Sequence, residues 1–246
     1  EEAIQSYKKA LDIDPEYADA YNNLGVVQKK LGQIEDAIAS YKKAILINPN
    51  DADTFNNLGI AFDEKEQLDD AIQSYHQALS IQPDLAEAHN NLGHTLCKLH
   101  YYKDAAKAYE KVLVIKPNLD YVVGNLLNAK MNCCNWNDLT NLTNEAKKRI
   151  INNEKVIEPF SLMSLIDDPN LQIKAQKVRI SGDHPINKLL PRIDIYKQHQ
   201  KIKIGYFSAD FREHPVSYLT AEPVSYTHLR AHETLMNLVC RLLLEK

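Results

Sequence analysis

A 34-residue period runs through the first half of this chain and constrains its fold more than any other feature. The residues that return on this step are Pro15, Pro49, Pro83 and Pro117; Tyr7, Tyr41, Tyr75 and Tyr109; and Ala3, Ala37, Ala71 and Ala105. The tetrapeptide Asn-Asn-Leu-Gly follows the same step at 22–25, 56–59 and 90–93. A fixed period of this length predicts an architecture in which each unit packs on its neighbours.

Each period can hold two antiparallel helices. Within one period, apolar residues return at helical spacing from Ala37 to Ile45, and Pro49 follows where that helix must end. Gly59 and its equivalents leave room for close helix contact, because a larger side chain there would overpack at a cost of about 1–3 kcal/mol. Leu-Gly early, Ala and an aromatic residue in the middle, and Pro late resemble the tetratricopeptide pattern. The resemblance implies an all-α solenoid superhelix.

The period sets the expected boundaries. It gives a half-repeat at 1–17 and full repeats at 18–51, 52–85 and 86–119. A degenerate unit at 120–151 keeps Asn125 but has Leu127 in the glycine position, and it lacks the tyrosine and the proline. A degenerate last unit is expected where a solenoid ends its stack. The opening half-repeat predicts that the array continues upstream of Glu1.

One column of amides is the candidate binding site, and it comprises Asn23, Asn57, Asn91 and Asn125. A carboxamide carries donors and an acceptor, so it can pair with a peptide backbone without reading side chains. Repeated once per unit on the concave face, it would form a ladder for an extended peptide. The alternative is that these residues are a solvated face or tie neighbouring helices together. The preceding column is Asn22, Asn56 and Asn90, followed by Gly124.

Composition and charge exclude several kinds of partner. The net charge is −4, which does not favour nucleic acid, and no apolar run approaches the length of a membrane span. The concave positions Asp53, Glu87, His94 and Lys98 mix both signs of charge, which argues against a single-charge clamp for acidic tails. The four cysteines lack metal-ligand spacing, so we expect reduced thiols, no metal and a cytoplasmic protein.

After about residue 152 the period is lost, and we expect a linker over 152–200. Pro159, Pro169, Pro185 and Pro191 punctuate it, and a helix is expected from Leu171 to Val178. Residues 201–208 alternate like a strand, a polar loop follows at 209–215, and 216–222 has the pattern of a helix. A strand, a loop and a helix are the opening of an α/β domain.

The stretch at 201–219, Lys-Ile-Lys-Ile-Gly-Tyr-Phe-Ser-Ala-Asp-Phe-Arg-Glu-His-Pro-Val-Ser-Tyr-Leu, resembles the start of the catalytic region of the O-linked N-acetylglucosamine transferase and SPINDLY family. Residues 159–169 resemble the linker of its bacterial-type members. The resemblance implies a two-lobed α/β domain of the GT-B type that transfers a sugar from UDP-N-acetylglucosamine or GDP-fucose to Ser or Thr of proteins. His214 matches the family's active-site histidine, as base or as positioner. We expect 201–223 to be the truncated start of this domain, catalytically inactive by itself.

The last residues, 224–246, resemble the in-frame translation of a common sequencing adapter. The resemblance begins at Val-Ser-Tyr-Thr-His-Leu-Arg-Ala-His-Glu-Thr, 224–234, and resumes at Leu238. We therefore expect this stretch to carry no fold information, although 238–246 has helical propensity. The alternative to a glycosyltransferase is a non-enzymatic repeat adaptor with a short docking tail. The true gene sequence after codon 222 would distinguish these two hypotheses.

Overall fold

The computed structural model of the chain describes residues 2–183, 203–206 and 240–243. Within 2–183 it contains helices and their connections only. The helices are α1 Glu2–Ile13, α2 Ala18–Lys30, α3 Ile34–Ile47, α4 Ala52–Glu64, α5 Leu68–Ile81, α6 Ala86–Lys98, α7 Tyr102–Ile115, α8 Val122–Asn132, α9 Leu139–Ile151, α10 Pro159–Leu165 and α11 Pro169–Asp183. The prediction of an all-helical repeat solenoid is confirmed.

Each helix packs mainly on the helices next to it in sequence. The tightest pairs are α2 with α3, α4 with α5, and α6 with α7, and these pairs stack through α3 on α4 and α5 on α6. In addition, α2 contacts α4 and α4 contacts α6, so the first helices of successive repeats lie side by side. This arrangement places the amide column of the sequence on adjacent helices.

Each repeat's glycine faces the ring of the tyrosine sixteen residues later. A Cβ added to Gly59 would lie 2.5 Å from Cε1 of Tyr75, and Gly25 and Gly93 meet Tyr41 and Tyr109 in the same way. Those three tyrosines are almost fully buried. Burial raises the pKa of each phenol well above its ordinary range. The glycine therefore makes space for one specific ring, a partner that the sequence pattern did not identify.

The turn between the two helices of a unit keeps one backbone conformation in every repeat. Gly32, Glu66, His100 and Cys134, each 34 residues apart, all have φ between 54° and 76°. Left-handed backbone favours glycine, yet only the first of these positions has it. Because Cys134 shares the conformation, α8 and α9 form a helix pair with the same turn, although the sequence of this unit has diverged.

The expected linker begins with residues that pack on the last helix pair. Val156, Ile157 and Leu162 are buried in one cluster with Val123 and Ile150 of α8 and α9. The backbone N–H groups of Tyr121 and Gly124 donate to the carbonyls of Lys155 and Val156, at 2.7 and 3.0 Å. The helix expected at Leu171–Val178 lies within α11. We call residues 155–175 the cap, because they cover the side of α8 and α9 where a further repeat would stack.

The chain divides into two compact units, 1–186 and 187–246. In the second, β1 Lys203–Tyr206 pairs antiparallel with β2 Cys240–Leu243. β1 falls within the strand predicted at 201–208. The helical propensity noted for 238–246 was misleading, because its described part is a strand held by pairing to β1. The loop and helix predicted for 209–222, together with His214, lie outside the described residues, and the α/β domain stays a prediction.

Candidate functional site

The Asn ladder, comprising Asn23, Asn57, Asn91 and Asn125, lies on α2, α4, α6 and α8. We call the side of these helices that carries it the ladder face. Asn57 Nδ2 donates to Asn22 Oδ1 at 3.0 Å, and Asn91 Nδ2 donates to Asn56 Oδ1 at the same distance. These bonds join neighbouring repeats through residues 35 positions apart. The suggestion that the asparagines tie helices together is therefore correct for one N–H group of each donor.

The ties leave most of each amide's hydrogen-bonding capacity unused. A carboxamide has two N–H donors and an oxygen that can accept twice. Asn57 and Asn91 each use one donor in the tie and remain partly exposed, and Asn23 is exposed with no side-chain hydrogen bond to the described residues. Within the described part of the chain, the ladder thus offers free donors and acceptors at three successive repeats. This geometry can serve an extended backbone without giving up the inter-repeat ties.

The third junction departs from this pattern. Asn125 Nδ2 lies 3.3 Å from Nε2 of His94, while the buried Oδ1 of Asn90 has no hydrogen-bond partner among the described residues. By the spacing of the first two junctions, Asn125 would donate to Asn90 instead. His94 takes the amide, and its ring packs edge-on against Tyr109 with centroids 5.6 Å apart. With the amide N–H of Asn125 as the donor, Nε2 of His94 accepts, and this assignment requires the neutral ring with its proton on Nδ1.

Acidification is expected to break the bond between Asn125 and His94, because both atoms become donors once the ring is protonated. His94 is exposed at the surface, yet the groups packed around its ring desolvate it and lower its pKa below the ordinary value of 6.5, while Asp63 raises the pKa and Lys98 lowers it by a smaller amount. The stability from the neutral ring is therefore present above pH 6.5 and is lost as the pH falls. Side-chain amide NMR of Asn125 between about pH 7 and pH 5 checks this. In the control, His94→Gln, the signal should not titrate; an unmoved signal in the parent chain would contradict the assignment.

A row of charges forms a second set of ties beside the ladder. Lys29 pairs with Glu64 at 2.9 Å, and Lys98 pairs with Asp63, again across 35 residues. Thr95 Oγ1 also donates to Asp63 at 2.7 Å. Because these charges are used between repeats, the ladder face does not present a block of one sign. Opposite charges and asparagines stand 35 residues apart in the sequence. This spacing would have predicted the ties between repeats, but it was missed at the level of sequence.

The remaining predicted groups give little further chemistry. His89 contacts the carbonyl of Pro83 at 2.9 Å, in keeping with an ordinary surface role. Among the described residues, Cys97, Cys133 and Cys134 are free thiols, and no cluster of His, Cys, Asp or Glu could hold a metal ion. None of the described helices is both long and apolar enough to cross a membrane. The site at hand is therefore a surface of amides.

Family models described as "TPR repeat" match residues 1–32 and 64–100, and models described as "Tetratricopeptide repeat" match 18–51, 40–73 and 86–119. A search of curated proteins found no match. Among solved structures, MamA is similar at 25% identity and a TM-score of 0.57, over 61% of this chain and 87% of that one. YrrB, "a TPR protein with an unusual peptide-binding site", is similar at 20% identity and a TM-score of 0.50, over 71% and 81%.

Proposed function

We propose, from the premise that this chain is a tetratricopeptide-repeat protein, that its ladder face binds protein segments in extended form. Tetratricopeptide repeats indicate a protein-interaction scaffold. The observation that supports the specific mode is the unused hydrogen-bonding capacity of Asn23, Asn57 and Asn91 beside the inter-repeat ties. Each neutral hydrogen bond contributes about 1 kcal/mol net, so binding should tolerate many sequences and strengthen with the number of repeats engaged.

The array separates the peptide role from the tie role by position. Among the described residues Asn23 makes no tie and Asn22 acts only as a tie acceptor, whereas Asn57 donates to the tie and keeps capacity for a peptide. Asn23→Ala therefore removes a peptide contact and leaves the ties intact. Asn22→Ala removes a tie and leaves the ladder amides in place. The pair is a matched control for distinguishing lost recognition from lost stability.

We expect Asn23→Ala to weaken peptide binding about fivefold, equivalent to about 1 kcal/mol, with a melting temperature that is unchanged or slightly higher. Asn22→Ala should lower the melting temperature and change affinity less, and Asn57→Ala should do both. Fluorescence anisotropy with a labelled, unstructured Ser/Thr/Val peptide of about twelve residues measures affinity; its length follows from about 3.3 Å per extended residue. An affinity equal to the parent's in both Asn23→Ala and Asn57→Ala would remove the ladder from the proposal.

We further propose that the array belongs to a protein O-glycosyltransferase and delivers substrates to it in the cytoplasm. The support is the resemblance of residues 201–219 to the transferase family, with His214 in the active-site position. The donor would be a nucleotide sugar, bound by parts of the enzyme outside this sequence. Free thiols at Cys97, Cys133 and Cys134 agree with a reducing compartment.

The transferase proposal is tested by sequencing the source DNA across codon 222 with a method that uses no adapter insertion. A reading frame that continues into two α/β lobes supports it. Sugar transfer by that longer product, lost in His214→Ala, would complete the support. A frame in which codons 224–246 are genomic and then stop favours the adaptor alternative. The ladder proposal is independent of this result.

A further inference from the structure

A pocket lies between the C-terminal half of α8 and the helix α10 of the cap. Its cavity measures about 420 Å³, and its lining includes Asn128, Met131, Trp136, Ser161 and Leu165. None of the residues that line it carries a charge. Met131, Trp136 and Leu165 supply apolar surface, and amide and hydroxyl groups accompany it. An uncharged cavity of this size suits an apolar side chain rather than a phosphate or an acidic tail.

Trp136 distinguishes this pocket from the rest of the surface. It is the single tryptophan of the chain, and 60% of it is exposed. Tryptophan is normally largely buried, and interface hot spots are enriched in it. Other large apolar side chains of the described residues are exposed as well, among them Leu46 and Tyr101, but Trp136 is an exposed one that lines this cavity.

The pocket continues the ladder along one helix. Asn125, Asn128 and Asn132 follow at i, i+3 and i+7, so they share a face of α8, and Asn128 and Asn132 also line the pocket. At 1.5 Å per residue, they lie about 5 and 10 Å from Asn125 along the helix axis. An extended peptide needs about two or three residues to cover this distance. A chain held at Asn125 therefore reaches the cavity.

We propose that this pocket takes a leucine- or phenylalanine-sized side chain of the peptide that lies on the Asn ladder. The inference rests on the proposed function and adds selectivity to it, because the ladder contacts backbone and the pocket contacts one side chain. At the usual spacing of about 8–10 Å between packed helices, three junctions would span about 24–30 Å, or about nine extended residues. The apolar residue should fall about ten to twelve residues from the one that contacts Asn23.

The test uses the same Ser/Thr/Val peptide with one scanned position carrying Leu, Phe, Ala or Asp. With Leu or Phe at the correct position, affinity should rise about tenfold over Ala, since most of a leucine's apolar surface leaves water. The emission of Trp136 should shift to shorter wavelength as the indole is covered, and Asp should bind no better than Ala. Since the chain has one tryptophan, the signal reports on this pocket alone.

Two variants make the result decisive. Ser161→Phe fills the cavity from α10 and should abolish both the preference and the emission shift, while affinity for the Ala peptide stays unchanged. Asn23→Ala should weaken all four peptides equally and leave the preference intact. Peptides that bind equally without an emission shift overturn the pocket and leave the ladder standing. A concentration-dependent shift without peptide would assign the pocket to a second copy of the chain, and no binding by any peptide would overturn the proposed function itself.

Discussion

Tyr75→Thr is expected to lower the free energy of unfolding by about 3 kcal/mol, and adding Gly59→Leu is expected to restore much of that loss. The tyrosine ring is 1% exposed, so its truncation opens a cavity at a site packed on all sides. Gly59→Leu by itself should also destabilise, by about 1–3 kcal/mol, because its Cβ would overlap the Tyr75 ring. Gly59→Leu adds side-chain volume where Tyr75→Thr removes it, and Tyr75→Thr opens the space that the new leucine needs.

The degenerate unit at 120–151 provides the precedent for this exchange. Leu127 stands at the glycine position and Thr143 at the tyrosine position, 68 residues after Gly59 and Tyr75. Leu127 is completely buried in the core that α8 and α9 share with the cap. We infer from these two substitutions that a large residue on the first helix can take the place of the large ring on the second when the residue opposite it is small.

Urea unfolding of the parent, both single variants and the double variant measures the exchange as a double-mutant cycle. The two changes should couple favourably, so the double variant is more stable than the sum of the singles. The control combines Gly59→Leu with Tyr109→Thr, whose partners lie in different repeats, and its effects should add. A double variant as unstable as that sum would show that Leu127 and Thr143 do not replace the glycine–tyrosine pair.

The repeat array was readable from sequence because its signal recurs. Pro49, Tyr41 and Ala37 each return on one step, and every copy reports the same local packing. The specific partner of each glycine was not readable, since a period states that two helices meet but not which atoms touch. The ring of Tyr41 against Gly25 emerged only when the helices were placed in space.

The amide column shows that the two alternatives left open by the sequence do not exclude each other. The sequence allowed either a peptide ladder or a helix tie as the purpose of Asn57, and its side chain has the groups for both. The structure assigns one N–H to the tie with Asn22 and leaves the rest unused. Asn125 departs from the tie pattern because it contacts His94. The repeat pattern could not predict this contact, because histidine occupies that position of the repeat only once.

Within residues 1–186, the cap was the part that the sequence predicted least well. Residues 155–157 lack a period, and their burial against α8 depends on Val123 and on hydrogen bonds to the first turn of that helix. Loss of periodicity was interpreted as a linker, although the same residues complete a core. Gly124 is the residue that could have indicated the cap from the sequence. It replaces the asparagine of Asn22, Asn56 and Asn90 at the point where the cap comes closest.

Gly124→Asn, which restores the repeat pattern, is accordingly expected to destabilise the chain by about 2 kcal/mol or more. A Cβ at this position would lie 2.8 Å from Cα of Ile157 and 3.0 Å from the carbonyl oxygen of Val156. Both are backbone atoms, so they cannot move aside as the end of a side chain can. The hydrogen bond from Gly124 N–H to Val156 would be strained at the same time.

In Gly124→Ala, the sign of the stability change distinguishes open space at this position from contact with the cap. Inside a helix, glycine to alanine normally stabilises by about 0.5–1 kcal/mol, so open space would produce a gain. Contact with the cap predicts a loss instead, measured by urea unfolding and by faster proteolysis between α9 and α10. Asn128→Ala, on an exposed position of the same helix, is the control and should be neutral or stabilising. A gain in both variants would mean that residues 155–157 do not pack on α8. A loss in Gly124→Ala alone would show that the tie-acceptor column of Asn22, Asn56 and Asn90 ends at the cap, since a side chain fits at position 124 only where no backbone crosses it.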